Sequence, residues 1–80
     1  MRIPRDASAQ ELIKSLRCLG YTVTRQSGSH IRVTTTQNGQ HHETIPNHAP
    51  IKVGTLNGIL KSVAGHHRIS VEQLLQMLEL

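Results

Sequence analysis

The sequence predicts an α+β fold in the order α-β-β-β-α, a three-stranded antiparallel sheet with helices on one face, plus an extra C-terminal helix. Three observations predict it. Apolar residues recur at helical spacing in three separate stretches. Between the first two lie short runs that alternate apolar and polar residues, the period of a half-buried strand. Short turn sequences, Gln26-Ser27-Gly28-Ser29 and Thr36-Gln37-Asn38-Gly39-Gln40, join those runs. Connections that short suit an antiparallel meander and cannot cross over to a parallel neighbour.

The first helix is expected over residues 8–19. Ser8-Ala9-Gln10-Glu11 has capping-box spacing, in which Ser8 and Glu11 reciprocally satisfy open backbone donors. Leu12, Ile13, Leu16 and Leu19 form its apolar face, and Gly20 supplies a left-handed terminator. In the first strand, residues 21–25, Tyr21 and Val23 point one way and Thr22 and Thr24 the other. In the second, residues 30–34, Ile31 and Val33 take the core face, which leaves His30, Arg32 and Thr34 opposite. Asn38-Gly39 is a strong hairpin signal, and the third strand, His41 to Ile45, ends at Pro46. Residues 47–53 read as a loop. Gly54-Thr55 opens the second helix with Thr55 as N-cap; Leu56, Ile59, Leu60 and Val63 are its buried face, and Gly65 closes it. His66-His67-Arg68 reads as a polar link. Ser70-Val71-Glu72-Gln73 is another capping-box pattern, opening a third helix that buries Leu74, Leu75, Leu78 and Leu80. The sheet face turned away from the helices is then polar: Thr22, Thr24, His30, Arg32, Thr34 and Thr44.

An 80-residue chain makes one domain, residues 1–80, with a modest core. With no Phe, no Trp and Tyr21 alone, that core is aliphatic. A lone Cys18, placed beside the first helix's apolar stripe, excludes an internal disulfide and reads as a small core residue. The N-terminus is polar and nothing approaches the length of a membrane span, so a cytoplasmic protein is expected. Nine Lys and Arg against five Asp and Glu give a net charge of +4, and six histidines can add to it in acid. That charge suits a polyanion, although many small domains are mildly basic. The lack of aromatics argues against recognition by base stacking, so an RNA contact would rest on phosphate charge and shape.

His30 is the foremost candidate for chemistry. It stands where a glycine turn enters a strand, two positions from Arg32, and imidazole both takes and gives protons near neutral pH. RNA carries its own nucleophile, the 2′-hydroxyl, so a cleaving domain needs only a proton-transfer group and cations beside the phosphate. His30 with Arg25, Arg32 or Lys52 could meet that need without a metal or other cofactor. Spacing alone does not separate this role from that of an ordinary polar strand residue. Lys52-Val53-Gly54-Thr55 could hold a phosphate at a helix N-terminus, or be a routine cap; the Walker spacing is absent. The pairs His41-His42 and His66-His67 lack metal-site spacing, and adjacent histidines on a strand face opposite ways.

Four motifs in order resemble the HicA toxin family, also described as YcfA-like. They are Glu11-Leu12-Ile13-Lys14 with Leu16 and Gly20-Tyr21, then Arg25-Gln26-Ser27-Gly28-Ser29-His30, then Thr44-Ile45-Pro46-Asn47-His48, then Val53-Gly54-Thr55-Leu56 with Ile59-Leu60-Lys61. The resemblance covers residues 8–65. It implies a double-stranded-RNA-binding-domain-like fold and ribosome-independent mRNA cleavage. It also implies a catalytic histidine at the Gly-Ser-His position, here His30, and a HicB-type antitoxin that covers the site. Arg25, Ser29, Arg32, His48, Lys52 and Thr55 are the candidate RNA or phosphate contacts. The chain departs from the family in three places: Ile31 stands where many relatives have a second histidine, Thr34–Gln40 is longer than the usual hairpin, and residues 70–80 lie outside the core. That last helix could pack on the core, dimerise the protein or alter antitoxin docking. Two other functions compete with RNA cleavage: a non-catalytic RNA-binding module, and an interaction protein that docks a partner on the polar sheet face.

Overall fold

A computed structural model describes residues 3–80; Met1 and Arg2, part of the polar N-terminus, lie outside the described residues. The order is α1 (Ala9–Leu16), a 3-10 turn (Arg17–Leu19), β1 (Thr22–Ser27), β2 (His30–Thr35), β3 (His41–Pro46), α2 (Val53–His67) and α3 (Val71–Leu78). The three strands form one antiparallel sheet in the order β1-β2-β3. The helices cover one face, and the thinnest dimension, 17 Å, is that of a single helical layer on a sheet. Leu12, Leu16, Tyr21, Val33, Ile45, Leu56, Leu60, Val63 and Leu74 are fully buried in one apolar cluster between the layers. Leu74 and Leu78 bring α3 into that cluster, so the C-terminal helix is part of the core. No described helix is long and apolar enough to cross a membrane.

The capping pattern at α1 forms in half. Ser8 Oγ accepts from the Glu11 amide at 3.1 Å, but the Glu11 carboxylate takes the Ser8 hydroxyl at 3.0 Å instead of reaching the Ser8 backbone. At α3 the reciprocal box between Ser70 and Gln73 is complete. After Leu16 the helix tightens into a 3-10 turn. The tightening keeps Leu19 buried and turns Cys18 to solvent, so Cys18 is exposed and is not a core residue. Gly20 then takes a φ of +82°, and a Cβ there would lie 2.8 Å from both Thr35 Oγ1 and Gln37 Nε2. Buried Thr35 donates to the Leu19 carbonyl at 2.7 Å at the same point, locking the end of α1 to β2.

The second helix differs from expectation at both ends. Its N-cap is Lys52 and not Thr55, because the Ile51 amide bonds to the Ala7 carbonyl and Leu56 closes the first turn on Lys52. Gly65 does not end it. The helix runs on to His67 and stops at Arg68 in the left-handed conformation, φ +58°. Residues 66 and 67 are thus its last turn and not a polar link, and His67 is buried.

Burial of His67 requires hydrogen-bond partners, and a chain of them joins α2 to the β2–β3 hairpin. Asn38 Nδ2 lies 3.1 Å from His67 Nδ1, His67 Nε2 lies 3.2 Å from Tyr21 Oη, and Tyr21 Oη lies 2.7 Å from His41 Nδ1. One set of tautomers satisfies every contact: the Asn38 amide donates to His67, His67 Nε2–H to Tyr21, and the Tyr21 hydroxyl to His41. His41 Nε2–H then faces Ser62 Oγ at 3.3 Å and Glu43 at 3.7 Å. His66 stacks on His41 with centroids 4.4 Å apart, and its Nε2 reaches the carbonyls of Gln37 and Gly39 at 3.0 Å each. Charge on both linking imidazoles is disfavoured. Burial, seconded by His66, pushes His67 and His41 below their ordinary value, and burial with the Glu43 charge raises Tyr21 to about 12.

Candidate functional site

The uncovered sheet face is built on β2, the central strand. His30, Arg32 and Thr34 alternate with the buried Ile31, Val33 and Thr35, so the first three share the open face. His30 begins the strand. Its backbone pairs with Ser27 of β1 on one side and Pro46 of β3 on the other. The loop between Ser27 and His30 is the two residues Gly28-Ser29, and Gly28 takes the positive φ, +58°, that a glycine-first hairpin turn requires. The Asn47 amide bonds to the Ser29 carbonyl at 2.6 Å and ties this turn to the segment leaving β3. An exposed imidazole is thus carried on backbone fixed from both sides, the arrangement that positions a reactive group well. Among the described residues no hydrogen bond engages the His30 ring.

β1 does not follow simple alternation. Val23 pairs with Val33, but Arg25 pairs with Arg32, because the register shifts between Val23 and Arg25. Thr24 is the extra residue of a bulge, and the bulge brings Arg25 onto the open face directly opposite Arg32. Strict alternation would have sent Arg25 to the helix side with Tyr21 and Val23. Val23 itself does not join Tyr21 in the core. It is 49% exposed, because β1 is an edge strand whose helix-side face the helices leave uncovered. Two guanidinium groups therefore stand on neighbouring strands, and no strand carboxylate shares their face. The one acidic strand residue, Glu43, pairs with Val33 on the helix side.

At the far end of β2 the face carries a hydroxyl chain. Thr24 Oγ1 donates to the Arg32 carbonyl at 3.4 Å, Thr34 Oγ1 lies 2.9 Å from Thr24 Oγ1, and His42 Nδ1 lies 2.7 Å from Thr34 Oγ1. His42 and Thr44 share the face, opposite Thr34 and Arg32. The adjacent His41 turns to the helix side, as two consecutive strand residues must. Among the described residues no group of three or more His, Cys, Asp or Glu side chains is placed to hold a metal ion.

The structure thus brings Arg25, His30 and Arg32 onto one sheet, with Ser29 in the turn that precedes His30. His48, Lys52 and Thr55 belong to the segment that leaves β3 at the His30 end and enters α2. The His48 carbonyl accepts from the Ala9 amide at 3.0 Å, and all three side chains are exposed. Among the described residues none of the three is hydrogen-bonded or ion-paired to the first group. His42 was missed from the sequence, although it has the same strand parity as Thr44 and that alternation would have placed it. Chemically, the face offers a titratable ring at one end, paired cations in the middle and a hydroxyl-anchored ring at the other end.

The family profile described as HicA toxin of bacterial toxin-antitoxin matches residues 9–64. No curated protein and no solved structure matches the chain. The matched stretch runs from the first residue of α1 into the last turns of α2 and contains the whole sheet. With more than half of its length matched, the chain belongs to the HicA toxin family, a toxin family of bacterial toxin-antitoxin systems, and an antitoxin partner follows from that membership.

Proposed function

We propose that this toxin is an endoribonuclease acting on mRNA in the cytoplasm, with His30 as the proton-transfer residue and Arg25 and Arg32 as the phosphate-binding cations. The observation that carries the reading is the exposed His30 at the rim of a sheet face that holds Arg25 opposite Arg32 and no strand carboxylate. The step needs only this. The 2′-oxygen attacks the adjacent phosphorus, the bond from phosphorus to the 5′-oxygen breaks, and a proton leaves the 2′-oxygen and arrives at the 5′-oxygen. The products are a 2′,3′-cyclic phosphate and a 5′-hydroxyl, with no water consumed. The His30 imidazole handles the proton, and the guanidinium pair stabilises charge on the phosphate. Ser29, His48, Lys52 and Thr55, at the His30 end, supply further contacts to the RNA backbone. A HicB-type antitoxin that covers the open face silences the site. Residues 8–65 are the family core and α3 supports it.

A second reading is favoured by one observation: among the described residues no base or carboxylate orients the His30 ring. On that reading the same face binds RNA without cutting it. Incubating pure protein in chelator with an RNA and with the same strand carrying 2′-deoxy sugars separates the two. Cleavage of the RNA alone, leaving cyclic-phosphate ends, is expected. Salt-sensitive binding with both strands intact would instead establish the binding module.

A further inference from the structure

The ring of His42 lies at the opposite end of the open face from His30, and the hydroxyl chain beside it sets its tautomer. Thr24 Oγ1 donates to a carbonyl, so it can accept from Thr34. Thr34, donating to Thr24, can accept from His42. The arrangement that uses all three contacts places the His42 proton on Nδ1. Nε2 is left on an exposed ring, without a hydrogen-bond partner among the described residues. It can accept a proton and then donate to an anion, with Nδ1–H already anchored. Such anchoring orients an imidazolium as outer-sphere partners orient a ligand histidine.

The rung Thr34–His42 stands two rungs beyond Arg32–Thr44, and His30–Pro46 two rungs before it. Four residues of strand separate His30 from the far rung, ~13 Å. A single phosphate cannot reach both rings. We propose that His42 is a second phosphate-binding residue, contacting the backbone of a bound RNA strand at a different phosphate from the one at which His30 transfers the proton, with Arg25 and Arg32 between. This assignment rests on the RNA-cleaving reading above. Charge complementarity selects the occupant: the strands place four basic side chains on this face, His30, Arg32, Arg25 and His42, and no carboxylate. With Tyr21 fully buried the track presents no Phe, Tyr or Trp, and its cations grip the phosphate backbone, which is the same in every sequence.

The test compares the affinities of an octanucleotide and a trinucleotide RNA for the His30→Ala protein, with and without His42→Gln. The advantage of the octanucleotide is expected to fall about tenfold, the worth of one hydrogen bond to a charged group. Thr34→Val, which cuts the anchoring chain, should lower it in the same direction and by less. Thermal melting of each variant checks that the fold is intact. An unchanged octanucleotide advantage would overturn the assignment while leaving the RNA reading in place. Equal losses on both lengths would overturn it in favour of a structural role. If the His30→Ala protein binds neither RNA at low salt, the RNA reading fails and this assignment with it.

Discussion

At the residue scale, the work asked of His30 is set by its neighbours. Its backbone is pinned between Ser27 and Pro46, while its ring stays exposed at the Gly28-Ser29 turn. The cations beside it stand as a pair, Arg25 facing Arg32 across the β1–β2 ladder, and on the proposed reading both hold the phosphate. Arg25→Gln should therefore weaken RNA binding almost uniformly across sequences and reduce the slope of log affinity against log salt by about one. Titrating binding with salt for both proteins measures this, and an unchanged slope would remove Arg25 from the phosphate contacts. His30 and Arg32 were legible in the sequence as neighbours on one face, since Ile31 and Val33 fix the parity of β2. Arg25 was legible only as a nearby basic residue. Its place on the face depends on the bulge at Thr24, and no local feature of Thr-Val-Thr-Arg announces where an edge strand takes an extra residue.

At the scale of elements, the junction between α2 and the β2–β3 hairpin is built from imidazoles that must stay neutral. His67 cannot be protonated at Nδ1 without turning a second donor toward the Asn38 amide, and His41 protonated at Nδ1 would face the Tyr21 hydroxyl. Both rings lie below their ordinary 6.5, chiefly by burial and then by the nearby His66; His42 adds to the lowering at His41, and Glu43 partly opposes it there. The unfolded chain thus binds these protons more readily than the fold. The sign follows from that: the stabilisation is complete above about pH 6.5 and is lost as the pH falls from there through the lowered folded values. Thermal melting should be flat above neutrality and drop on acidification from pH 6.5 to 5, and His67→Gln should make the profile shallower. A melting point constant over that interval would contradict the tautomer chain. This junction was invisible in the sequence. Helical spacing gave the apolar stripe of α2 correctly, but Gly65 looked like a terminator. Past it the helix is held by His67, hydrogen-bonded to Tyr21 and Asn38, and it ends at left-handed Arg68.

At the scale of the molecule, the layer arrangement was legible because each helix announces one apolar stripe and the strands alternate around Ile31, Val33 and Ile45. The role of the C-terminal helix was not, since a short amphipathic helix can pack inward or meet a partner with the same sequence. Its Leu74 is fully buried with Leu12, Leu16 and Leu60 in the common core. Leu74→Ala should cost about 2–5 kcal/mol, read by denaturant unfolding, with a lower midpoint. A loss near zero would mean that α3 is not a working part of the core. The architecture leaves one sheet face open, places the basic strand residues on it and sets His30 at its rim. The most direct test of that account is RNA cleavage by the wild-type and His30→Ala proteins side by side in chelator, with matched melting curves. The account predicts scission by the wild type and none above background by the folded variant; equal cleavage by the two would contradict it.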